Sequence, residues 1–121
     1  MKPQELRVGN YIGHREYGEL YCETVAWFDA DEIHTDEGND YDWGDVEPVP
    51  LTEDWLRDFG FEWKKDNQWW IPSKGNSFRP ELRMIYNETD FYFMVSAFYE
   101  IRIEHIHQLQ NLYFALTGKG L

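Results

Sequence analysis

The segment Pro48-Val49-Pro50-Leu51-Thr52-Glu53-Asp54-Trp55-Leu56 divides the chain into two regions. Its prolines end a strand-rich region, because proline cannot donate a hydrogen bond to a sheet. Thr52 is a favourable N-cap, and the two acids after it suit the positive end of a helix dipole. Leu51 and Leu56 have the spacing of a hydrophobic staple. We therefore predict a short helix over residues 52–59.

Upstream of this helix, the sequence reads as short strands between turn signals. The predicted strands cover residues 6–12, 20–27, 32–35 and 41–46, and they are rich in β-branched and aromatic residues. Four or five short strands within about 45 residues are typical of a small barrel or a strongly twisted sheet. We expect this unit to be SH3-like.

Downstream of the helix, the sequence predicts an antiparallel meander and a final helix. The predicted strands cover residues 61–64, 69–71, 82–86, 91–95 and 99–104, with a loop at residues 73–77. The C-terminal helix is predicted over residues 105–117, and Gly118 ends it. Its apolar stripe, which should pack on the sheet, consists of Ile106, Leu109, Leu112, Tyr113 and Leu116.

These elements predict an α+β fold in a single domain of residues 1–121. Within it we distinguish a β-rich acidic subunit of residues 1–50. Residues 51–121 add the short helix, the antiparallel sheet and the C-terminal helix.

Charge is the first constraint on function. The chain has 23 acidic and 11 basic residues, which gives a formal net charge of −12. Residues 1–56 contain 15 of the acids and only three bases, whereas residues 57–121 contain eight of each. Such a surface repels phosphate backbones and anionic lipids. We therefore expect no direct nucleic-acid binding and no membrane binding.

Composition also indicates the class of protein and its compartment. Aromatic residues make up 18% of the chain, which supplies the apolar surface that a folded core requires. No run approaches the ~20 apolar residues of a membrane span, and the N-terminus lacks an apolar signal region. Cys22 is the single cysteine, so an intramolecular disulfide is excluded. We expect a soluble, cytoplasmic domain.

Three motifs carry a resemblance to a known family. They are Leu6-Arg7-Val8-Gly9-Asn10-Tyr11-Ile12, Pro48-Val49-Pro50-Leu51-Thr52 and His107-Gln108-Leu109-Gln110-Asn111-Leu112-Tyr113-Phe114-Ala115-Leu116-Thr117-Gly118. With them the chain resembles a family of small uncharacterised proteins from Bacteroidales bacteria, their phages and mobile elements. The resemblance implies a bacterial, intracellular and phage-related setting and no mechanism. The acidic stretch at residues 29–45 and the Trp-rich stretch at residues 63–70 depart from the family pattern.

Aspartates form the first candidate interaction site. They belong to a run from Glu16 to Leu56 that contains 14 carboxylates and no Lys or Arg. The run is either a solvated surface, a divalent-cation site, or a face for a basic partner. A nucleic-acid-binding protein, whose groove the face would occupy as a phosphate mimic, is one such partner. The candidate residues are Asp29, Asp31, Asp36, Asp40, Asp42 and Asp45.

The spacing and placement of these aspartates bear on two of the three interpretations. It does not fit an EF-hand, because Gly44 stands where a third ligand belongs. Phosphate mimicry, in turn, requires that the carboxylates lie on one face of the fold.

Aromatic side chains form the second candidate site. Doublets such as Trp69-Trp70 and Phe98-Tyr99 lie in predicted strands, where neighbours point to opposite faces. This pattern indicates either a sheet covered on both sides or an exposed patch for a partner protein, a second copy or a sugar. Trp69 and Trp70 are therefore candidates, together with Phe114, which falls outside the apolar stripe of the final helix.

Motifs for catalysis or cofactor binding are absent from the sequence. It has no Gly-rich phosphate loop, no Gly-x-Ser-x-Gly and no His-Glu-x-x-His. His105 and His107 lie at a strand-to-helix junction, where positions two apart diverge, so we expect capping or surface roles for them. We expect no catalytic residue, no cofactor and no metal ligand.

The sequence therefore predicts a non-enzymatic interaction or accessory protein. Its partner would be another protein, either a basic one or, in a homodimer, a second copy. Two alternatives stay open: an acidic, phosphate-mimicking inhibitor of a nucleic-acid-binding protein, and a carbohydrate-binding module with aromatic platforms.

Overall fold

The fold is α+β, as the sequence predicts. The computed structural model describes residues 1–71, 82–87, 89–96 and 99–121. It contains two antiparallel sheets, one of them a curled half-barrel, and a C-terminal helix. The chain divides into two compact units, one of Met1–Pro50 with His105–Leu121 and one of Leu51–Glu104.

The first unit is built on a four-stranded antiparallel sheet. An isolated bridge joins Gly13 to Glu47, just after a 3-10 turn at Trp43–Asp45. The strands are adjacent in chain order: β1 (Tyr11–Glu16), β2 (Glu19–Phe28), β3 (Glu32–Thr35) and β4 (Asp40–Asp42).

One face of this sheet carries the core of the first unit. Val25 of β2 and Ile33 of β3 are fully buried and pack with Ile12, Leu6 and Val46. Alternation along the strands turns every second side chain toward this core. The residues between them face the other way, and this division determines where the charged side chains lie.

Two predicted strands of this unit have the wrong ends, and the strand predicted at residues 6–12 is observed at Tyr11–Glu16. Residues 6–10 are not a strand, because Gly9 has a φ of 92° and a turn forms there instead. The Asn10 side chain accepts a hydrogen bond from the Arg7 N–H at 2.7 Å and stabilises this turn. The strand predicted at residues 41–46 ends at Asp42, where the 3-10 turn begins.

The second unit contains the short helix and the meander. The predicted helix is confirmed as α1 (Glu53–Asp58), and the Thr52 hydroxyl accepts a hydrogen bond from the Trp55 N–H at 3.4 Å. Five antiparallel strands follow in sheet order: β5 (Glu62–Lys64), β6 (Gln68–Ile71), β7 (Leu82–Asn87), β8 (Asp90–Ser96) and β9 (Tyr99–Ile103). The predicted loop at residues 73–77 and the ring of Phe98 lie outside the described residues.

One face of this second sheet is buried at its central strands. Trp69, Met84 and Phe93 are paired in register across β6, β7 and β8, so their side chains share a face, and all three are buried. Leu56 of α1 is also fully buried.

The C-terminal helix α2 (Ile106–Thr117) belongs to the first unit. Polar contacts attach it to the N-terminal segment. The Gln110 Oε1 accepts a hydrogen bond from the Tyr11 N–H at 2.9 Å, and the Gln110 Nε2 donates to the Gly9 carbonyl at 3.2 Å. The expectation that this helix packs on the meander is not confirmed.

The predicted apolar stripe of α2 is right only in part. Ile106 and Leu109 are fully buried, but Leu116 is 46% exposed and the polar Gln110 is buried. Gln110 can be buried at this position because its amide both accepts and donates hydrogen bonds at the N-terminal turn. Gly118, with a φ of 71°, ends the helix as predicted.

We expect the loss of unfolding free energy on truncating a leucine of α2 to depend on how deeply that leucine is buried. Leu109→Ala should lower the free energy of unfolding by about 2–5 kcal/mol, because it leaves a cavity in the core. Leu116→Ala, on the exposed side, should cost about 0.5 kcal/mol or less. Urea unfolding monitored by circular dichroism measures both values, and equal losses would contradict this placement of the helix.

Candidate functional site

A buried carboxylate lies on the core side of the first sheet. Glu23 of β2 is only 6% exposed. Its Oε1 accepts hydrogen bonds from the Thr35 hydroxyl at 3.0 Å and from the Asn39 amide at 2.6 Å. Its Oε2 accepts a hydrogen bond from the Tyr41 hydroxyl and lies 2.9 Å from the Nε2 of His14. Each carboxylate oxygen therefore has two partners.

These partners come from the other three strands and the turn that joins β3 to β4. His14 lies on β1, Thr35 on β3 and Tyr41 on β4, so a single carboxylate on β2 connects the whole sheet. The His14 ring also stacks on Tyr41 with 4.6 Å between ring centroids, and on Tyr21 with 5.6 Å. The group forms a polar layer beside the apolar core.

Hydrogen bonding keeps Glu23 ionised. Burial alone would raise the pKa of its carboxyl, but hydrogen bonds from Tyr41, Asn39 and Thr35 and the charge of His14 together lower that pKa below its usual value. Burial, followed by the hydrogen bond to Glu23, raises the pKa of the Tyr41 hydroxyl. The carboxylate therefore accepts and the phenol donates at neutral pH, which suits a structural anchor.

The opposite face of the same sheet is acidic. In the β3–β4 pair, Glu32 is opposite Asp42 and His34 is opposite Asp40, so these four side chains share a face. Trp27 of β2 is in register with His34 on that face. Asp36, which accepts a hydrogen bond from the Thr24 hydroxyl at 2.7 Å, lies two residues beyond His34. We call Glu32, Asp36, Asp40 and Asp42, with Trp27 and His34, the acidic face.

His34 is at the centre of the acidic face. Its Nε2 lies 3.0 Å from the Glu32 carboxylate, and its Nδ1 contacts the carboxylate of Asp40. An imidazole donates to both carboxylates only when both of its nitrogens carry a proton. Its ring stacks on Trp27 with 3.5 Å between centroids and 13° between planes.

The acidic face is open to solvent. The side chains of Glu32 and Asp40 are 43% and 60% exposed, and Trp27 is 50% exposed. One histidine thus faces four carboxylates, and an indole ring lies beside them. A cationic group could contact the carboxylates and the ring at the same time.

The six candidate aspartates separate into two groups. Asp36, Asp40 and Asp42 belong to the acidic face, whereas Asp31 and Asp45 are exposed at a turn and in the 3-10 turn. The Asp29 carboxylate accepts hydrogen bonds from the N–H groups of Glu32 and Asp31 at 2.9 and 2.8 Å, and these bonds lower its pKa. Asp29 therefore shapes the β2–β3 turn.

The aromatic candidates differ in how far they are exposed. Trp69 is buried (3% exposed), so a partner or a sugar cannot reach it in this structure. Trp70 is half-buried, with the Arg83 guanidinium 5.3 Å from its ring centroid. Phe114 is partly exposed, and the Arg7 guanidinium stacks 3.5 Å from its ring centroid.

Two properties of the described residues bear on metals and membranes. Within residues 1–71, 82–87, 89–96 and 99–121, no group of three or more His, Cys, Asp or Glu side chains is arranged to hold a metal ion. No helix in this part of the chain has the length and apolar character needed to cross a membrane.

Sequence reasoning missed both Glu23 and the pairing of His34 with Trp27. A signal for Glu23 exists, because strand alternation puts it on the same side as Val25, where a charge needs hydrogen-bonding partners. The alternation Glu32-Ile33-His34 and Asp40-Tyr41-Asp42 also predicts a one-sided arrangement of acids. The β2–β3 register, shifted by a bulge between Val25 and Trp27, has no comparable signal in the sequence.

Comparisons with family models, with curated proteins and with solved structures found no match to the chain.

We expect the Glu23 anchor to make stability depend on pH. Because its folded pKa lies below the unfolded value of about 4.5, its contribution is complete above that pH and is lost as the pH falls through the folded pKa. Glu23→Gln should cost about 1–3 kcal/mol at pH 7, because it disrupts the buried hydrogen bonds. It should also flatten the loss of stability that occurs as the pH falls below about 4.5.

Urea unfolding at several pH values measures this effect. Glu37→Gln, at an exposed acid in the β3–β4 turn, is the matched control and should keep the wild-type pH dependence. A Glu23→Gln curve parallel to wild type over this pH range would refute the role of Glu23.

Proposed function

We propose that the chain is a non-enzymatic interaction domain that binds a basic protein through its acidic face. The observation that supports this is the common orientation of Glu32, Asp40 and Asp42 around the exposed ring of Trp27. No Lys or Arg lies between Glu16 and Leu56. His34 is therefore the one basic residue of the acidic face, and a partner could supply lysines or arginines to its exposed carboxylates.

Electrostatics would act mainly on the rate and specificity of binding. Opposite surface potentials speed association and exclude acidic competitors, whereas individual exposed ion pairs stabilise by about 0.2–1 kcal/mol each. Added salt should weaken the complex, because exposed charges are screened beyond about 8 Å at physiological ionic strength. Contact of a cation with Trp27 would resist salt better than the ion pairs.

We further propose that the first unit is an SH3-like barrel. The meander order β1 to β4 supports this, as do the 3-10 turn at Trp43–Asp45 and the bridge from Glu47 back to Gly13. In this proposal the acidic face is the outer surface of β2, β3 and β4.

We also propose a cytoplasmic location and a bacterial setting related to phages or mobile elements. The exposed, free thiol of Cys22 suits a reducing compartment. The setting rests on the resemblance of the three motifs.

Phosphate mimicry is the second candidate function. Asp40 and Asp42 are alternate residues of one strand, so their side chains repeat every ~6.6 Å along it. Such a pair of carboxylates could occupy a groove that normally contacts phosphates. This candidate predicts that double-stranded DNA displaces the chain from its partner at constant ionic strength, whereas a partner that binds by other means would stay bound.

The test of the main proposal compares two triple variants of equal net charge. One neutralises the acidic face with Glu32→Gln, Asp40→Asn and Asp42→Asn. The other neutralises α1 with Glu53→Gln, Asp54→Asn and Asp58→Asn, which are exposed in the second unit. A labelled lysine- and arginine-rich peptide is titrated into both at 0.05 and 0.3 M salt.

The acidic-face variant should bind this peptide roughly 3- to 100-fold more weakly than the α1 variant, since three exposed ion pairs are lost. Affinity capture from a bacterial extract should follow the same order. Equal binding by the two variants would mean that only total charge matters, and the proposal would fail.

A further inference from the structure

One edge strand of the second sheet, β5, is exposed, and its side chains can pair with those of a second copy. β5 is the first strand of the sheet order, with β6 as its neighbour in the described part of the chain. Its residues Glu62, Trp63 and Lys64 are all exposed, and Trp63 is 58% exposed. An exposed edge presents backbone N–H and C=O groups that another strand can pair with.

The order acid–Trp–base makes this edge complementary to itself. When two copies of β5 pair antiparallel about Trp63, Glu62 of each copy faces Lys64 of the other, and the two Trp63 rings are directly opposite. Opposite charges directly across a strand pair stabilise it, and so do aromatic pairs. We propose that β5 pairs with β5 of a second copy, which joins two five-stranded sheets into one across a two-fold axis.

Two other edge strands, β4 and β9, are less suited to self-pairing. β4, at the edge of the first sheet, would place Asp40 opposite Asp42 of the second copy, and like charges opposite each other are unfavourable. In β9, Arg102 is already 3.0 Å from Asp90 and 3.5 Å from Glu104. The Leu51 N–H also donates to the Glu104 carbonyl at 3.1 Å, just beyond β9.

The dimer should be weak and reversible. A three-residue strand buries less than the roughly 1,200 Å² of a stable complex, even with two indole rings at its centre. The net charge of −12 on each copy also opposes association. That repulsion is screened beyond about 8 Å at 0.15 M salt, whereas the contacts at β5 are much shorter. Self-association should therefore be detectable at high micromolar concentration.

Sedimentation equilibrium from about 10 µM to 1 mM at 0.15 M salt tests this proposal. The wild-type chain should show a monomer–dimer equilibrium. Lys64→Glu should weaken it roughly tenfold or more, because both ion pairs become like-charge contacts. The double variant Glu62→Lys with Lys64→Glu reverses the order of the charges and should restore association to about the wild-type level.

Lys65→Glu is the matched control. It changes the net charge as Lys64→Glu does, but it lies in the turn after β5 and should leave association near the wild-type value. Circular dichroism of each variant checks that these exposed positions leave the fold intact. A monomeric wild-type chain at 1 mM, an equal effect of both lysine variants, or a double variant that fails to associate would each overturn the proposal.

Discussion

The carboxylate of Glu23 is the interaction on which the first unit depends. Its two oxygens contact groups from β1, β3, β4 and the turn before β4, so this one side chain on β2 joins all four strands of the sheet. Moving a charge from water into the protein interior costs desolvation free energy, and four partners offset that cost for Glu23. The alternation of β3 and β4 that turns Thr35 and Tyr41 toward Glu23 also turns His34, Asp40 and Asp42 outward. The acidic face thus lies on the opposite side of the sheet from Glu23 and its partners.

The edge strands β4 and β5 show how the order of charges along a strand can direct association. In β4 the order acid–aromatic–acid disfavours pairing with another copy and leaves the carboxylates available to a basic partner. In β5 the order acid–aromatic–base is self-complementary. The two proposals therefore use different surfaces, and loss of one would leave the other intact.

Local rules account for the elements that the sequence predicts well. Thr52 with its acidic neighbours defines α1, Gly118 ends α2, and alternation identifies β3 and most of the meander. Long-range contacts account for the features that the sequence does not predict. Gln110 is buried because it bonds to residues about 100 positions away, and the 3-10 turn replaces the end of a predicted strand. Alternation puts Asp40 and Asp42 on one side of β4, and the β3–β4 register brings them beside Glu32 and His34.

The most direct test of this account is the pKa of Glu23, measured by NMR titration of its side-chain carboxyl carbon in the intact chain. We expect a midpoint clearly below the usual value of about 4.5, since the hydrogen-bond donors and His14 outweigh burial. The chemical shifts of His14 and Tyr41 should change in the same pH range. A midpoint at or above 4.5 would contradict the account, because it would mean that Glu23 is not the ionised anchor of the four strands.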